Sequence, residues 1–187
     1  MTKRLSDLIL SIAFLVIFSV PMLLIALLVK ITSKGPILYW SDRVGRYNKI
    51  FSMPKFRTME LGTPQVATHL LKNPDVYLTP IGAFLRKTSM DELPQLFTII
   101  KGDLSLVGPR PALFNQSDLI ALRTQRGIHK LMPGLTGWAQ INGRDDLAVI
   151  KKVELDEDYL NWRSSSFDLK ILLLTFSSVL RSHGIKH

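Results

Sequence analysis

The chain contains no cysteine, so it can form neither a disulfide framework nor a thiolate metal site. It also lacks a GxxxxGK[ST] phosphate loop, the glycine spacing of a dinucleotide fold, internal repeats and low-complexity linkers. Its histidines do not have the spacing of a metal site or a catalytic triad; they are His69, His129, His183 and His187. Any chemistry must therefore rest on carboxylates, hydroxyls and basic side chains.

Acidic residues are few, 15 against 24 lysines and arginines, and the formal charge is +9. Hydrophobic residues nevertheless make up 47% of the 187 residues, and the mean hydropathy is +0.18. A chain both basic and apolar favours an anionic membrane surface or phosphorylated ligands over duplex DNA. We therefore expect no nucleic-acid partner.

One long apolar run occupies Leu8 to Val29 and carries no charge. As a helix it reaches roughly 33 Å, enough to cross a bilayer. Ser19 and Pro21 fall at its midpoint, where proline bends a helix. Basic residues lie on both flanks, and the positive-inside rule draws both to the same face; they are Lys3, Arg4, Lys30, Lys34, Arg43 and Arg46.

A re-entrant helix that bends at Ser19 and Pro21 satisfies both features. A straight transmembrane helix is the plain alternative, and a secretory signal peptide is the third. The signal peptide fits less well, because the run is too long and no small-residue cleavage site follows it. We predict a membrane-inserted segment at 1–34 and a cytoplasmic-face catalytic domain at 35–187, which together form one functional unit.

A β-hairpin is predicted where two short β-prone runs, Pro36 to Trp40 and Ile50 to Met53, flank the polar turn Gly45 to Asn48. The second run leads into Lys55 and Arg57, two cations on one face of a strand. That pattern suits either a solvated strand or the binding of a diphosphate.

The stretch from Arg86 to Arg110 places adjacent carboxylates, Asp91 and Glu92, before a short apolar helix. We expect Asp91 to be the N-cap, with Pro94 near the third helical position. Both carboxylates then stay ionised at the positive end of a helix dipole, beside N–H groups that suit a phosphate. The structural alternative is a capping box formed by Ser89 and Glu92.

Two segments rich in proline or glycine each present an arginine: Gly108 to Pro111 and Pro133 to Arg144. Pro109 and Pro111 restrict Arg110 to an extended conformation, and three glycines precede Arg144 in Pro133 to Arg144. Both segments suit ligand binding, and a tight structural turn is the alternative for each. Helices are predicted at Ala112 to Gln125, Asp145 to Trp162 and Phe167 to Leu180, the last either in the core or in a membrane interface. The predicted fold is mainly α with a small β-hairpin (α+β).

Five motifs in this order resemble the bacterial sugar transferase family, the monotopic phosphoglycosyl transferases that start surface-glycan and glycoprotein assembly. They are the Lys-Arg before the broken apolar helix, Lys55 to Met59, Ser89 to Leu96, Lys101 to Pro111 and Pro133 to Arg144. The resemblance covers nearly the whole chain and implies a re-entrant membrane helix with interfacial amphipathic helices around a compact catalytic domain. The chain resembles the minimal catalytic core of the family.

The resemblance implies that a sugar 1-phosphate passes from a UDP-sugar to a polyprenyl phosphate of the undecaprenyl type, with Mg²⁺ and a covalent intermediate. Asp91 would be the nucleophile that expels UMP and would bind the metal, and Glu92 would position or deprotonate the lipid phosphate. Phosphate-binding candidates are Lys55, Arg57, Arg86, Arg110 and Arg144. The implied location is the cytoplasmic face of the bacterial inner membrane, in contact with the lipid bilayer, and a homodimer is left open.

Two other functions remain open. A membrane-tethered glycosyltransferase would release UDP rather than UMP and would use an Asp-x-Asp metal motif. A basic membrane adaptor without catalysis would keep its function when Asp91 is replaced by asparagine.

Overall fold

The computed structural model describes residues 2–64, 73–143 and 147–180. Its first element, α1 (Thr2–Thr32), is a continuous helix that runs through Pro21. Ser19 Oγ donates to the Val16 carbonyl oxygen at 2.8 Å, a local bond within the same helix. Among the described residues, α1 is the one helix long and apolar enough to cross a membrane by length and composition. These observations leave the re-entrant geometry as a prediction.

Both ends of α1 contact the rest of the protein. Near its start, Arg4 donates to the carbonyl oxygens of Ile99 and Ile100 at 2.6 and 2.8 Å. Just after its end, the hydroxyl and carbonyl of Ser33 accept hydrogen bonds from the Arg57 guanidinium. Much of the remaining surface of α1 is apolar and exposed, including Ile9, Ile12, Val16, Val20, Leu23, Leu27 and Ile31.

The predicted hairpin is confirmed as β1 (Leu38–Val44) and β2 (Ile50–Phe56), paired antiparallel from Leu38 with Phe56 to Val44 with Ile50. Both strands are longer than the sequence indicated. The part of the chain that the structure describes contains three shorter strands after them: β3 (Ser105–Val107), β4 (Ala112–Leu113) and β5 (Gly134–Thr136). Strand β4 pairs with the end of β1, and β3 pairs parallel with β5.

Within the described ranges, six helices follow the hairpin: α2 (Gly82–Lys87), α3 (Gln95–Lys101), α4 (Ser117–Gln125), α5 (Trp138–Ile141), α6 (Val149–Trp162) and α7 (Ser165–Leu180). Short 3-10 turns lie at Arg46–Asn48, Pro74–Tyr77, Met90–Glu92 and Ile128–Lys130. The helix predicted from Ala112 begins only at Ser117, because Ala112 and Leu113 pair with β1 instead. Asp145 and Asp146, the predicted start of α6, lie outside the described residues.

Two apolar clusters hold these elements together. The larger one joins α3, β3, α6 and α7, with Ile99, Val107, Val153 and Ile171 fully buried. The smaller one joins the second half of α1 to β2 and α2 through Ile25, Val29, Phe56 and Leu85. Leu93 packs against both clusters. The predicted mainly helical fold with a small sheet is confirmed, and Leu93 lies directly after the Asp91-Glu92 pair.

Candidate active site

The two adjacent carboxylates lie in a separate turn and do not cap a helix. Asp91 and Glu92 belong to the 3-10 turn Met90–Glu92, and α3 begins at Gln95 with Pro94 in the cap position and no side-chain cap bond. The prediction that Asp91 is the N-cap is therefore wrong. Proline sets φ near the helical value and needs no N–H partner, so Pro94 itself can precede the first turn.

The capping-box alternative is also wrong, because the Glu92 carboxylate points to two cations. Glu92 Oε1 accepts hydrogen bonds from Lys55 Nζ at 2.6 Å and from Arg110 Nη2 at 3.0 Å. Burial alone would raise the pKa of Glu92, but the charges and hydrogen bonds of Lys55 and Arg110 outweigh it. The pKa of Glu92 therefore lies well below its ordinary value. Glu92 stays ionised and is a weak base.

Asp91 has a different environment. It is buried, and its nearest cation is Lys55, with Nζ 3.8 Å from Oδ2. Burial raises the pKa of the Asp91 carboxyl, and the neighbouring Glu92 charge adds to this, while Lys55, Arg86 and Arg110 oppose it. Asp91 precedes the start of α3 by four residues, so it does not occupy the N-cap position where a helix-dipole effect was expected. The surrounding cations, not a helix, favour its charged form.

A cavity of about 490 Å³ opens beside Asp91. Its walls come from the hairpin, α2, the Pro-Arg-Pro segment, α4 and α5. It brings together five of the predicted site residues, Lys55, Arg57, Arg86, Asp91 and Arg110. Arg144, the remaining phosphate-binding candidate, lies outside the described residues. A basic cavity with a carboxylate in its wall suits a phosphorylated substrate.

Two of the predicted phosphate-binding arginines also hold the scaffold. Arg57 is 3% exposed, and it donates to the Pro36 carbonyl oxygen at 2.8 Å as well as to Ser33. It thus ties β2 to the segment that follows α1. Arg86 donates to Thr58 Oγ1 at 3.1 Å. Both guanidinium groups are therefore oriented before any ligand arrives.

The glycines of the Pro133 to Arg144 motif that fall in the described region have a structural use. A side chain at Gly134 or Gly137 would overlap the backbone of Gly108. Gly134 N donates to the Pro109 carbonyl oxygen at 2.9 Å, and Gly108 N donates to the Thr136 carbonyl oxygen at 2.9 Å. This close packing fixes the backbone immediately before Arg110, which supports the tight-turn interpretation of this part of the motif.

A buried ion pair that the sequence did not single out lies behind Arg110. Arg123 of α4 donates through Nε and Nη2 to Asp156 Oδ2 of α6, at 2.9 and 2.6 Å, and through Nη1 to the Arg110 carbonyl oxygen at 2.8 Å. No local sequence pattern pairs residues 33 positions apart. Only the tertiary fold brings them together.

Asp156 also belongs to an Asp-x-Asp triplet, Asp156-Glu157-Asp158, the motif that a metal-dependent glycosyltransferase would use. Asp156 is paired with Arg123, and Glu157 is paired with Arg126 at 2.7 Å. The described residues contain no group of three or more acidic, histidine or cysteine side chains that could hold a metal ion. Asp156 and Glu157 therefore join α6 to the end of α4 here.

The bacterial sugar transferase family matches residues 1–182. The "Uncharacterized sugar transferase EpsL" of Bacillus subtilis is 44% identical over 184 residues, which cover 98% of this chain and 90% of that protein. The "UDP-glucose:undecaprenyl-phosphate glucose-1-phosphate transferase" of Escherichia coli is 39% identical over 181 residues, 92% of this chain. The "Undecaprenyl-phosphate galactose phosphotransferase" of Salmonella typhimurium is 40% identical over 201 residues, 97% of this chain.

The match covers different shares of these relatives. It spans most of the Bacillus subtilis protein but only 39% of the Escherichia coli protein and 41% of the Salmonella typhimurium protein. The family match runs from residue 1 to residue 182, a range that contains the apolar first helix, the Asp91-Glu92 turn and the Gly108 to Pro111 segment. The chain thus belongs to the bacterial sugar transferase family.

Proposed function

We propose that this protein transfers a sugar 1-phosphate from a UDP-sugar to a polyprenyl phosphate of the undecaprenyl type, and that it releases UMP. The main observation that supports this proposal is the position of Asp91 in the wall of a basic cavity. Asp91 is adjacent to Glu92, which forms ion pairs with Lys55 and Arg110. The names of the Escherichia coli and Salmonella typhimurium relatives describe sugar phosphotransferases acting with undecaprenyl phosphate. The geometry and the family membership support the same reaction class.

The first step uses Asp91 as the nucleophile. One of its carboxylate oxygens forms a bond to the β-phosphorus of the UDP-sugar, and the bond from that phosphorus to the bridging oxygen breaks. The bridging oxygen leaves as part of UMP, and the sugar phosphate remains on Asp91. Asp91 attacks in its ionised form, which Lys55, Arg86 and Arg110 favour against the effect of burial, so the step needs no separate base.

The second step returns the enzyme to its starting state. A phosphate oxygen of the polyprenyl phosphate bonds to the same phosphorus, and the bond from phosphorus to Asp91 breaks. Glu92 is a weak base beside two cations, which favours a positioning role over deprotonation of the lipid phosphate. Lys55 and Arg110, oriented by Glu92, stabilise the charge that develops on the transferred phosphoryl group.

We expect Mg²⁺ to bind between Asp91 and the phosphates of the substrate. Because Glu92 is engaged by two cations, Asp91 is the carboxylate available to hold Mg²⁺, and the ion commonly combines one or two carboxylates with substrate phosphates. When bound, it would neutralise phosphate charge. Arg57 and Arg86 are the candidates for holding the diphosphate from the β2 and α2 sides of the cavity.

We further propose that α1 enters and leaves the cytoplasmic leaflet of the bacterial inner membrane. Arg4 near one end of α1 and Ser33 just after the other are both hydrogen-bonded to the same catalytic domain. Because both ends of α1 are hydrogen-bonded to one domain, we expect both ends to lie on the side of the bilayer where that domain lies. Its exposed apolar surface then faces lipid, and the soluble UDP-sugar meets the lipid phosphate at the headgroup layer.

The identity of the released nucleotide tests the reaction. Purified protein is incubated with Mg²⁺, polyprenyl phosphate and each of a panel of UDP-sugars, and UMP and UDP are quantified. We expect UMP from the wild type, none from Asp91→Asn, and wild-type release from Asp118→Asn, which alters an exposed carboxylate on α4. UDP release would favour the glycosyltransferase, and activity in Asp91→Asn would contradict the assignment of the nucleophile.

The absence of cysteine allows a labelling test of the topology. Ser6→Cys and Lys34→Cys place one thiol at each end of α1, and Asp118→Cys marks the globular domain. In inverted membrane vesicles we expect all three to react with an impermeant maleimide, and in spheroplasts none. Labelling of the two helix ends from opposite sides would show a straight span.

A further inference from the structure

Arg123 lies in the wall of the candidate active-site cavity, and all three of its guanidinium nitrogens are engaged. Nε and Nη2 donate to Asp156 Oδ2, and Nη1 donates to the Arg110 carbonyl oxygen. Asp156 is 1% exposed and the Arg123 side chain 11%. Because Nε and Nη2 both donate to one carboxylate, the guanidinium plane is held in a fixed orientation. The direction in which Nη1 donates is therefore fixed as well.

The acceptor of that third donor is the backbone of a site residue. Arg110 lies between two prolines, and its guanidinium reaches Glu92 Oε1 at 3.0 Å. The preceding carbonyl, that of Pro109, is held by Gly134 N at 2.9 Å. The Arg110 carbonyl is thus held by Arg123 and the Pro109 carbonyl by Gly134, so hydrogen bonds fix both peptide units that flank the Arg110 Cα.

We propose that Arg123, oriented by Asp156, is a positioning residue that sets the Arg110 guanidinium against Glu92 and the substrate phosphate through the Arg110 carbonyl. The assignment rests on the proposed function above. It makes α4 and α6, which carry none of the predicted site residues, part of the catalytic framework. Misplacing a substrate-positioning group by about 1 Å can cost on the order of a hundredfold in rate.

A double-mutant cycle on kcat/KM for UMP release separates positioning from mere structural support. Arg123→Lys keeps the charge near Asp156 but loses the planar fork that serves two acceptors at once. We expect this variant to lose roughly tenfold or more in kcat/KM per folded enzyme. In an Arg110→Gln background, we expect the same change to cost less than about threefold, since the group it positions is gone.

The control is Arg126→Lys, which alters the neighbouring exposed α4–α6 ion pair with Glu157. Its ion-pair partner is Glu157 rather than Asp156, and we expect wild-type kcat/KM. A second variant guards against misfolding: Arg123→Met combined with Asp156→Leu removes the buried pair as a unit, which is often tolerated or stabilising. We expect this variant to unfold near the wild-type temperature and still show the loss in kcat/KM.

Three results would overturn the positioning role. The first is that Arg123→Lys lowers kcat/KM by the same factor with Arg110→Gln as without it. The second is wild-type kcat/KM in a folded Arg123→Met/Asp156→Leu variant. The third is a loss of kcat/KM in Arg126→Lys as large as that in Arg123→Lys. The same cycle is measured on the binding of UDP by calorimetry, with coupling again expected. If the wild type released no UMP, the proposed reaction would be wrong. The UDP-binding cycle would then test the positioning role separately, because coupling between Arg123 and Arg110 would support it and additive effects would contradict it.

Discussion

Lys55 Nζ lies 2.6 Å from Glu92 Oε1, which joins the second strand of the hairpin to the turn that carries the candidate nucleophile. The same nitrogen is 3.8 Å from Asp91 Oδ2, so a single cation serves two adjacent carboxylates. The side chains of Lys55 and Glu92 are 16% and 18% exposed, and the pair is therefore poorly screened by water. Strand β2 of the hairpin thus supplies, through Lys55, a positive charge to both carboxylates of the site.

Replacing Lys55 with glutamine removes this shared charge. We expect UMP release to fall by about a hundredfold or more, because a preorganised cation is lost where phosphoryl charge develops. Breaking a largely buried pair should also lower the free energy of unfolding by about 3 kcal/mol. Both are measured against Lys49→Gln, an exposed lysine on the same hairpin, which we expect to match the wild type. Equal behaviour of the two variants would remove Lys55 from the site.

Replacing Glu92 with glutamine separates the two carboxylates by role. Glutamine keeps the shape but not the charge that holds Lys55 and Arg110, so we expect kcat to fall by on the order of a hundredfold while the nucleophile remains. Quenched samples from radiolabelled UDP-sugar should still contain protein-bound sugar phosphate, whereas Asp91→Asn samples should contain none. Glu157→Gln, which alters an exposed acid, is the control. Bound label in Asp91→Asn would identify another nucleophile.

Local sequence patterns predicted the hairpin and the apolar helices because alternation, proline and glycine act over a few residues. The patterns also marked Asp91, Glu92 and Arg110. They placed Asp91 wrongly as a helix cap, because Pro94 can itself precede α3 and Glu92 finds its partners on β2 and in the Pro-Arg-Pro segment. Arg123 and Asp156 were missed for the same reason, since their pairing depends on the packing of α4 against α6.

The contact between Gly134 and Gly108 leaves no room for a side chain. An alanine at Gly134 would overlap the backbone of Gly108 and Thr136, so we expect Gly134→Ala to lower the free energy of unfolding by more than about 3 kcal/mol. Gly127→Ala is the comparison, because Gly127 has φ +73° but open space around its Cα. It should cost only about 1 kcal/mol. Similar unfolding midpoints in denaturant for the two variants would contradict the close packing.

Asp7 is a buried carboxylate in the first turns of α1. It accepts a hydrogen bond from the Ser105 hydroxyl at 2.7 Å and another from Leu106 N at 3.3 Å. Asp7→Ala removes the acceptor of Leu106 N and leaves the Ser105 hydroxyl with the Val107 carbonyl oxygen at 3.1 Å, and we expect the free energy of unfolding to fall by about 2 kcal/mol. Ser6→Ala, at an exposed neighbouring position, should change it by less than about 0.5 kcal/mol.

The same substitution tests whether the membrane helix supports the catalytic segment. Strand β3 leads directly into Gly108 and Arg110, so release of α1 from β3 should loosen the backbone that carries the Arg110 guanidinium. We expect Asp7→Ala in lipid nanodiscs to lower kcat/KM for UMP release by about tenfold while protein remains membrane-bound, because the apolar surface of α1 is unchanged. Full activity with lowered stability would show that the bond between Asp7 and Ser105 supports folding alone. Loss of membrane binding would show that this contact, rather than the apolar surface, holds α1 in the bilayer.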